Sequence, residues 1–438
     1  MTYKVTPAPA LEGEIEPPGD KSISHRAVIF NSIARDRASI SNYLEGADTL
    51  ATVRCLEALG VDIRIEGGQA AGAGGRQSPL LTVTGCGIEG LAEAAGSLDA
   101  RNSGTTMRLL AGLLSAAPFF TVISGDASLS SRPMGRVIEP LRLMGADIRG
   151  RDRDGFAPLA IRGGGLKGIE YHMPVASAQV KSAILLAGLF AEGTTTLHQP
   201  APSRDHTERL FRAMGAALTT TENTITLDPG PLTCLDVQVP GDISSAAPWL
   251  VAGSLHPEAR ITIRGVGVNP TRTGIIDVLR AMGAQLVIGE PRESGGEPVA
   301  DITVESSRLE GVEVCGDLVP RLIDEIPLIA LAATGATGTT VIRDAQELRI
   351  KESDRIQTTV QELRRLGADV EERPDGMIIR GPTPLTGATC DSHGDHRLAM
   401  ALGIAGLVTR GETIVRDPDV VDVSYPGFWR DLEGLKAG

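Results

Sequence analysis

The sequence predicts an α/β protein built from two domains, each with three repeats of a small α/β pattern. One observation is that an almost wholly apolar helix, a turn of small residues and a short β-branched strand follow one another six times. A second is the end of the next helix, where Leu, then Leu or Met, then Gly recurs five times. A third is the length of 438 residues, which exceeds what one ordinary hydrophobic core accommodates.

The first helix of each repeat, which we call its core helix, begins at a polar residue and continues as a run rich in Ala, Leu and Gly. Helices this apolar are typical of elements buried on all sides, so we expect the sheets to pack outside them. The predicted core helices span residues 22–34, 103–116, 177–191, 244–255, 325–334 and 396–408.

A short strand follows each core helix, and these strands centre on Ile40, Val122, Leu197, Ile263, Val341 and Ile414. The next helix is amphipathic and ends at a glycine suited to a C-cap. The capping glycines are Gly60, Gly145, Gly215, Gly283 and Gly367. Strand centres lie roughly 65 to 80 residues apart, whereas solenoid repeats have about 20 to 50, which favours two domains of three repeats over one open array.

Two Pro-Gly-Asp sequences, at residues 18–20 and 240–242, mark the predicted domain boundaries. Pro and Gly end regular elements, and Asp is a good cap for the helix that follows. We therefore predict one domain of residues 20–240 and a second of residues 1–19 plus 241–438, with the active site in the cleft between them.

Composition and charge exclude several classes of function. Aromatic residues make up only 3% of the chain, which argues against stacking on single-stranded nucleic acid. The formal net charge of −13 argues against binding to duplex nucleic acid or to membranes, because both require a dominant basic face. The five cysteines are odd in number and lack metal-ligand spacing, as in a reduced cytoplasmic protein. The longest apolar run, residues 183–191, is too short to span a bilayer. Local basic clusters in such a chain favour small anionic ligands.

Several helix starts combine cations, hydroxyls and glycine, which is the composition of an anion-binding site. Residues 17–26 place Lys21, Ser22 and Arg26 after two prolines and a glycine, and Gly104 would let a ligand approach backbone amides. Each stretch alone is more typical of a capped surface helix, but their recurrence favours a shared site. The further candidates are Arg132, Ser177, Gln179, Ser203, Arg204, Lys351, Arg355 and Arg397.

Three acids stand near these clusters: Asp20, Asp324 and Glu352. Asp324 precedes a very apolar run, where partial burial would raise the pKa of a carboxyl and suit it to proton transfer, although a helix cap is the plain alternative. Residues 393–396 hold two histidines and one Asp, too few for a metal site. The sequence contains none of GxGxxG, GxxxxGK[ST] and HExxH, so we expect no cofactor and no metal.

Seven motifs, in order and over essentially the whole chain, resemble the family of 5-enolpyruvylshikimate-3-phosphate synthases. The resemblance implies an inside-out α/β barrel fold. It also implies transfer of the enolpyruvyl group of phosphoenolpyruvate to the 5-hydroxyl of shikimate 3-phosphate with release of phosphate, a step of aromatic amino acid biosynthesis. The motifs are Gly19 to Arg26, Leu98-Asp99 with Asn102 to Thr105, Arg132-Pro133-Met134, Ser177-Ala178-Gln179, Asp324-Glu325, Lys351 to Arg355 and Asp395-His396-Arg397.

The same resemblance implies a role for each matching residue. Asp324 would interact with the attacking hydroxyl, while Lys21 and Glu352 would act near the enolpyruvyl group. The implied phosphoenolpyruvate contacts are Lys21, Gly104, Arg132, Gln179, Arg355 and Arg397. The implied shikimate 3-phosphate contacts are Ser22, Arg26, Ser177, Gln179, Ser203 or Arg204, Asp324 and Lys351.

The chain departs from the family pattern at two places. Arg101 stands where the family often has Gly, and residues 423–426 replace a lysine that some members bring to the phosphate.

The nearest alternative enzyme is UDP-N-acetylglucosamine enolpyruvyl transferase, which shares architecture and donor. That family has Lys-Asn and a loop Cys, where this chain has Lys21-Ser22 and no suitably placed Cys. A non-catalytic anion-binding repeat protein is a further alternative, and the presence of Asp324 and Glu352 argues against it. We expect a monomer whose partners are its two small-molecule substrates.

Overall fold

A computed structural model of the protein describes residues 1–66 and 79–437. Its helices are α1 (Lys21–Ile33), α2 (Ala47–Ala58), α3 (Gly104–Ala116), α4 (Gly135–Leu143), α5 (Arg151–Asp154), α6 (Ala178–Gly188), α7 (His206–Ala213), α8 (Ile243–Leu255), α9 (Gly274–Ala281), α10 (Val319–Leu322), α11 (Ile326–Gly335), α12 (Arg355–Arg365), α13 (His396–Val408) and α14 (Phe428–Gly434).

The strands of the first half are β1 (Thr2–Val5), β2 (Ala10–Ile15), β3 (Arg35–Ser41), β4 (Asp62–Glu66), β5 (Leu80–Cys86), β6 (Leu98–Asp99), β7 (Phe120–Ser124), β8 (Asp147–Gly150), β9 (Phe156–Arg162), β10 (Glu170–His172), β11 (Thr195–His198), β12 (Leu218–Thr221), β13 (Thr224–Leu227) and β14 (Val237–Gln238). Those of the second half are β15 (Ala259–Gly267), β16 (Gln285–Ile288), β17 (Arg292–Ser294), β18 (Glu297–Glu305), β19 (Glu313–Val314), β20 (Gly338–Ile342), β21 (Asp369–Arg373), β22 (Gly376–Gly381), β23 (Thr389–Asp391), β24 (Thr413–Arg416) and β25 (Lys436–Ala437).

The chain divides into two compact domains. The N-terminal domain contains Gly19–Pro240 and Glu293–Glu297, and the C-terminal domain contains Met1–Pro18, Gly241–Arg292 and Pro298–Gly438. This division differs from the predicted one at Gly19 and at residues 293–297. A side chain at Gly19 would collide with the carbonyl oxygen of Asn42, and Glu297 is buried with its Oε1 2.8 Å from His206 Nδ1. Both segments are therefore packed within the N-terminal domain.

Three four-stranded sheets build the N-terminal domain, in the orders β14-β3-β5-β4, β6-β7-β9-β8 and β10-β11-β13-β12. In each sheet the first pair of strands is parallel and the other two pairs are antiparallel. The parallel edge strand of the first sheet, β14, comes from the end of the domain. The last strand of the domain thus completes the sheet of the first repeat.

The C-terminal domain repeats this arrangement with additions. Its sheets have the orders β16-β18-β15-β2-β25, with β17 paired to β18, then β19-β20-β22-β21, and β1-β24-β23. The parallel pairs are β2 with β15, β19 with β20 and β23 with β24. Strands β1 and β2 come from the first residues of the chain, so this domain needs both ends of the sequence to complete its sheets.

Each domain has its own hydrophobic core, formed around its buried core helices. These helices begin within one or two residues of the predicted starts. The third is shorter than predicted and ends at Gly188, because residues 189–191 leave the α-helical pattern and Phe190 and Ala191 donate to carbonyls three residues back. Helices α3 and α6 lie so close that a side chain at Gly112 would collide with the backbone of Ala183.

The amphipathic helices end as the sequence pattern predicts. Their five terminal glycines adopt φ angles between +85° and +104°, the left-handed conformation of a C-cap. None of the helices formed by the described residues is long and apolar enough to cross a membrane.

Candidate active site

The N-terminus of α1 carries the first group of predicted site residues. Asp20 caps this helix, since its carboxylate accepts a hydrogen bond of 2.9 Å from the amide of Ile23. Asp20 is therefore the N-cap of α1. Lys21 begins the helix, and its Nζ lies 3.3 Å from Asp48 Oδ2. The ammonium group is thus held at a helix N-terminus, where the dipole also favours anions.

Arg26 lies one turn further along α1 and is buried. Its Nε donates to Thr207 Oγ1 at 2.8 Å, its Nη2 to Ser182 Oγ at 2.7 Å and its Nη1 to the carbonyl of Ser22 at 3.0 Å. Burial lowers the pKa of Arg26 to about 10, with a contribution from the nearby cation of Arg204. The guanidinium stays charged at neutral pH, and neutral oxygens fix its direction.

Gly104 opens α3, whose cap is Ser103, accepting from the amide of Thr106 at 3.1 Å. A Cβ at Gly104 would lie 2.5 Å from Nη1 of Arg108. That nitrogen donates to Gln179 Oε1 at 2.6 Å, so the position of Gln179 depends on the space left at Gly104. Arg108 was not among the site residues predicted from the sequence. The sequence feature that could have indicated Arg108 is its position four residues after Gly104, which places both residues on one helix face.

Three arginines surround this helix start. Arg132 donates through Nη2 to Asn102 Oδ1 at 2.7 Å, and its Nη1 would lie 3.6 Å from a Cβ at Gly104. Burial, followed by the charges of Arg132 and Arg136, lowers the pKa of Arg108 to about 10. The three cations repel one another, so an anion bound among them would be stabilised by all three and by the helix N-terminus.

Ser177 and Ser203 flank the start of α6. Ser177 caps the helix by accepting from the amide of Val180 at 3.4 Å. Ser203 donates to Gln199 Oε1 at 2.5 Å, and its carbonyl accepts from the buried Lys181 at 3.4 Å. The structure thus brings the predicted N-terminal residues to the starts of three core helices and the loops beside them.

The C-terminal domain gathers its predicted residues around Arg355, which is 2% exposed at the side chain. Its Nε is 2.7 Å from Asp395, its Nη2 is 2.7 Å from Glu352 and its Nη1 is 3.1 Å from Asp324. Burial opposes the positive charge, but Asp395, Glu352 and Asp324 together raise the pKa of Arg355 above its ordinary value. Arg355 therefore orients three carboxylates in addition to its predicted position as a ligand contact.

Asp324 lies between two cations, with Arg355 on one side and Lys351 Nζ 3.7 Å away on the other. We expected an apolar surrounding for this acid, but the apolar run begins beyond it, in α11. The side chain of Asp324 is 17% exposed and that of Glu352 is 28% exposed, so a ligand can reach both. One guanidinium thus fixes the two predicted catalytic carboxylates relative to each other.

Arg397 is buried at the start of α13, where Asp395 caps the helix by accepting from its amide at 2.9 Å. Its Nη1 donates to the carbonyl of Ser244 at 3.1 Å. The neighbouring Arg272, which was not predicted from the sequence, donates to Ser244 Oγ at 2.6 Å. Arg272 lies in the loop before an amphipathic helix, as Arg132 does in the second repeat. This equivalent position in the repeat is the sequence feature that could have indicated Arg272.

The histidines of residues 393–396 are used separately. His393 Nε2 lies 3.0 Å from Glu362 Oε1, while His396 begins α13. Asp395 is held by Arg355 at 2.7 Å, as described above. Asp395 is therefore one of the three carboxylates around Arg355, together with Asp324 and Glu352.

Comparison with known proteins identifies the family. The family model for EPSP synthase (3-phosphoshikimate 1-carboxyvinyltransferase) matches residues 5–432. The 3-phosphoshikimate 1-carboxyvinyltransferase of Desulforudis audaxviator (strain MP104C) is 54% identical over 437 residues, covering 100% of both chains, and that of Bacillus thuringiensis (strain Al Hakam) is 54% identical with 97% of each covered. A structure of EPSP synthase from Acinetobacter baumannii has a TM-score of 0.89 and 44% identity, covering 99% of this chain and 98% of the other. The chain therefore belongs to the EPSP synthase family.

Proposed function

We propose that this protein transfers the enolpyruvyl group of phosphoenolpyruvate to the 5-hydroxyl of shikimate 3-phosphate, giving 5-enolpyruvylshikimate 3-phosphate and phosphate. The observation that carries the proposal is identity of 54% from end to end with relatives named for this activity. The cationic clusters support it, because both substrates are multiply charged anions.

We assign the phosphoenolpyruvate contacts to Lys21, Gly104, Arg132, Gln179, Arg355 and Arg397, and those of shikimate 3-phosphate to Ser22, Arg26, Ser177, Gln179, Ser203, Arg204, Asp324 and Lys351. The excess of arginine near Gly104 supports an anionic donor there. Guanidinium groups bind phosphate and carboxylate by charge-assisted hydrogen bonds, and the hydroxyls of Thr207 and Ser182 fix the direction of the Arg26 guanidinium.

The reaction needs balanced proton movements. In the addition step the 5-hydroxyl attacks C2 of phosphoenolpyruvate and loses its proton, while C3 gains one. The tetrahedral intermediate then expels phosphate as C3 loses a proton. Asp324 is suited to interact with the attacking hydroxyl, because Arg355 and Lys351 hold its carboxylate in place. Lys21 and Glu352 would act on the proton at C3 and on the departing phosphate.

We further propose that the fold is the inside-out α/β barrel and that a single chain, working in the cytoplasm, binds substrates in a cleft between its domains. The assignment of shikimate 3-phosphate contacts to both domains supports a ligand-driven closure. X-ray scattering should show a smaller radius of gyration with shikimate 3-phosphate plus glyphosate, an inhibitor of this family. Arg26→Ala should abolish the compaction, and an unchanged radius at saturation would contradict the closure.

The direct test of function measures phosphate released from phosphoenolpyruvate with each acceptor. Release with shikimate 3-phosphate, and background release with UDP-N-acetylglucosamine, is the expected result. Release only with the nucleotide sugar would support the alternative enolpyruvyl transferase. Binding of both anions without release would support a non-catalytic anion-binding protein.

A further inference from the structure

A cluster of metal-ligand residues lies on the third sheet of the N-terminal domain, in residues to which the proposed reaction assigns no role. Strands β10 and β11 are parallel neighbours, and their register pairs His172 with His198. The intervening pair, Tyr171 and Leu197, is buried, so alternation places the histidines on the opposite face of the sheet. Glu170 shares that face two residues before His172.

The three side chains already converge. One ligand atom from each of Glu170, His172 and His198 lies within 4.8 Å of the others, and His198 Nε2 is 3.0 Å from Glu170 Oε1. The imidazole rings are stacked, with centroids 4.3 Å apart and an angle of 15° between their planes. The 3.0 Å between His198 Nε2 and Glu170 Oε1 is close to the separation of about 3.3 Å between two ligand atoms of a tetrahedral zinc ion.

Thr224 on β13 supplies an outer partner for the cluster. It stands opposite His198 in the antiparallel register, and its Oγ1 lies 3.0 Å from His198 Nδ1. When Thr224 accepts the proton of Nδ1, the lone pair of Nε2 points towards the Glu170 carboxylate. Two electron-rich atoms facing each other in this way are stabilised by a cation between them. Metal-binding histidines are commonly oriented by such a partner on the second ring nitrogen.

We propose that Glu170, His172 and His198 bind a divalent transition metal ion, with Zn²⁺ as the preferred occupant. Two imidazole nitrogens and one carboxylate oxygen are ligands that zinc prefers, whereas Mg²⁺ requires more oxygen ligands and ideal octahedral geometry. Three protein ligands leave a fourth position for water. The ion would join β10 to β11, whose ends lead into the loops that hold Ser177 and Ser203.

The first test measures zinc binding by the full chain after treatment with a chelator, using Zn²⁺ alone and equilibrium dialysis. We expect one bound ion in the wild-type protein that is lost in His172→Gln. The matched control is His393→Gln, which alters a partly buried His–Glu pair in the C-terminal domain and should retain the ion. Equal zinc content in wild type and His172→Gln, with both folded by circular dichroism, would overturn the proposal.

Two further measurements sharpen the assignment. Thr224→Val keeps the β-branched shape but removes the partner of His198, so it should weaken zinc binding by roughly tenfold. Full affinity in that variant would contradict the outer role of Thr224. Titration with Co²⁺ should give visible absorption that disappears in His172→Gln. A sulfur-to-metal charge-transfer band in the near ultraviolet would instead place the ion at one of the free cysteines and overturn the proposal.

Discussion

Two clusters of candidate residues, one in each domain, use charge in opposite ways. In the N-terminal domain, Arg108 is crowded by Arg132 and Arg136, and the repulsion contributes to the lowered pKa of Arg108. In the C-terminal domain, Arg355 is surrounded by Asp324, Glu352 and Asp395, which raise its pKa. The first cluster has an excess of positive charge that an anion would neutralise. In the second, three carboxylates outnumber the two cations beside them, Arg355 and Lys351.

The N-terminal cluster is therefore suited mainly to anion binding, whereas the C-terminal cluster combines its assigned ligand contacts with carboxylates suited to proton transfer. A cluster that repels itself is suited to receive phosphate and carboxylate groups, and its residues gain by ligand binding. A cluster held by one shared guanidinium keeps its carboxylates fixed whether or not a ligand is present, as preorganised catalysis requires. Substitutions in the two clusters should therefore differ in their effects on stability, on turnover and on substrate affinity.

The largest effect is expected for Arg355→Met, which leaves the buried Asp395 without its cation. A buried charge that has lost its partner lowers the free energy of unfolding by about 3–5 kcal/mol. Denaturant unfolding measures the loss, and Arg343→Met, which removes an exposed arginine paired with Glu313, is the control with little effect. A stability equal to that of the wild type would show that Arg355 does not hold the cluster.

The same comparison predicts a pH dependence. Although burial opposes ionisation, Arg355 holds the pKa of Asp395 below its ordinary value. A carboxyl with a lowered pKa stabilises the folded state fully above about pH 4 and loses that contribution as the pH falls further. The stability difference between wild type and Arg355→Met should therefore shrink in acid. A difference that is constant from pH 7 to pH 3 would contradict this coupling.

Asp324→Asn tests proton transfer with the cluster otherwise retained. We expect turnover to fall by about a hundredfold or more while both substrates still bind, because the amide keeps the shape but cannot accept a proton. Steady-state kinetics and direct binding measurements separate the two effects. The exposed Asp317→Asn is the matched control and should be fully active. Near-normal turnover in Asp324→Asn would remove this residue from the mechanism.

Gly104→Ala should act on the N-terminal cluster by displacing Arg108 and, through it, Gln179. We expect roughly a tenfold rise in KM for phosphoenolpyruvate, a larger loss of affinity for the bulkier glyphosate, and little change in turnover. Gly135→Ala is the control, since a methyl group there meets nothing within 4 Å. Equal losses for both ligands would mean that Gly104 does not set the size of the pocket.

The smallest effect is expected at Arg101, whose φ of +53° lies in the left-handed region that favours glycine. Its amide is held by Asp99 Oδ1 at 2.8 Å, so the departure from the family pattern leaves a glycine-like backbone in place. Arg101→Gly should raise the unfolding free energy by up to about 1 kcal/mol. Arg37→Gly, in strand β3, should lower it instead. A loss of stability in Arg101→Gly would contradict the assignment of strain.

Local sequence determined much of the repeated architecture. Apolar runs of helical length, β-branched strands and C-cap glycines have short-range physical causes, so their positions were predictable to within a few residues. The capping roles of Ser103 and Ser177 follow from the same local chemistry. Motif order was enough to indicate the family.

Tertiary structure decided which charges meet. No sequence pattern indicated that Arg355 would bridge three carboxylates from different segments. Nor did any pattern indicate that Arg108 would donate a hydrogen bond to Gln179, 71 residues away in the sequence. Nor did sequence pair His172 with His198 or bury Glu297 beside His206. Those contacts depend on the register of strands and the packing of core helices, which join residues distant in sequence. The chain by itself determined the elements and candidate residues, while their electrostatic partners were fixed only by folding.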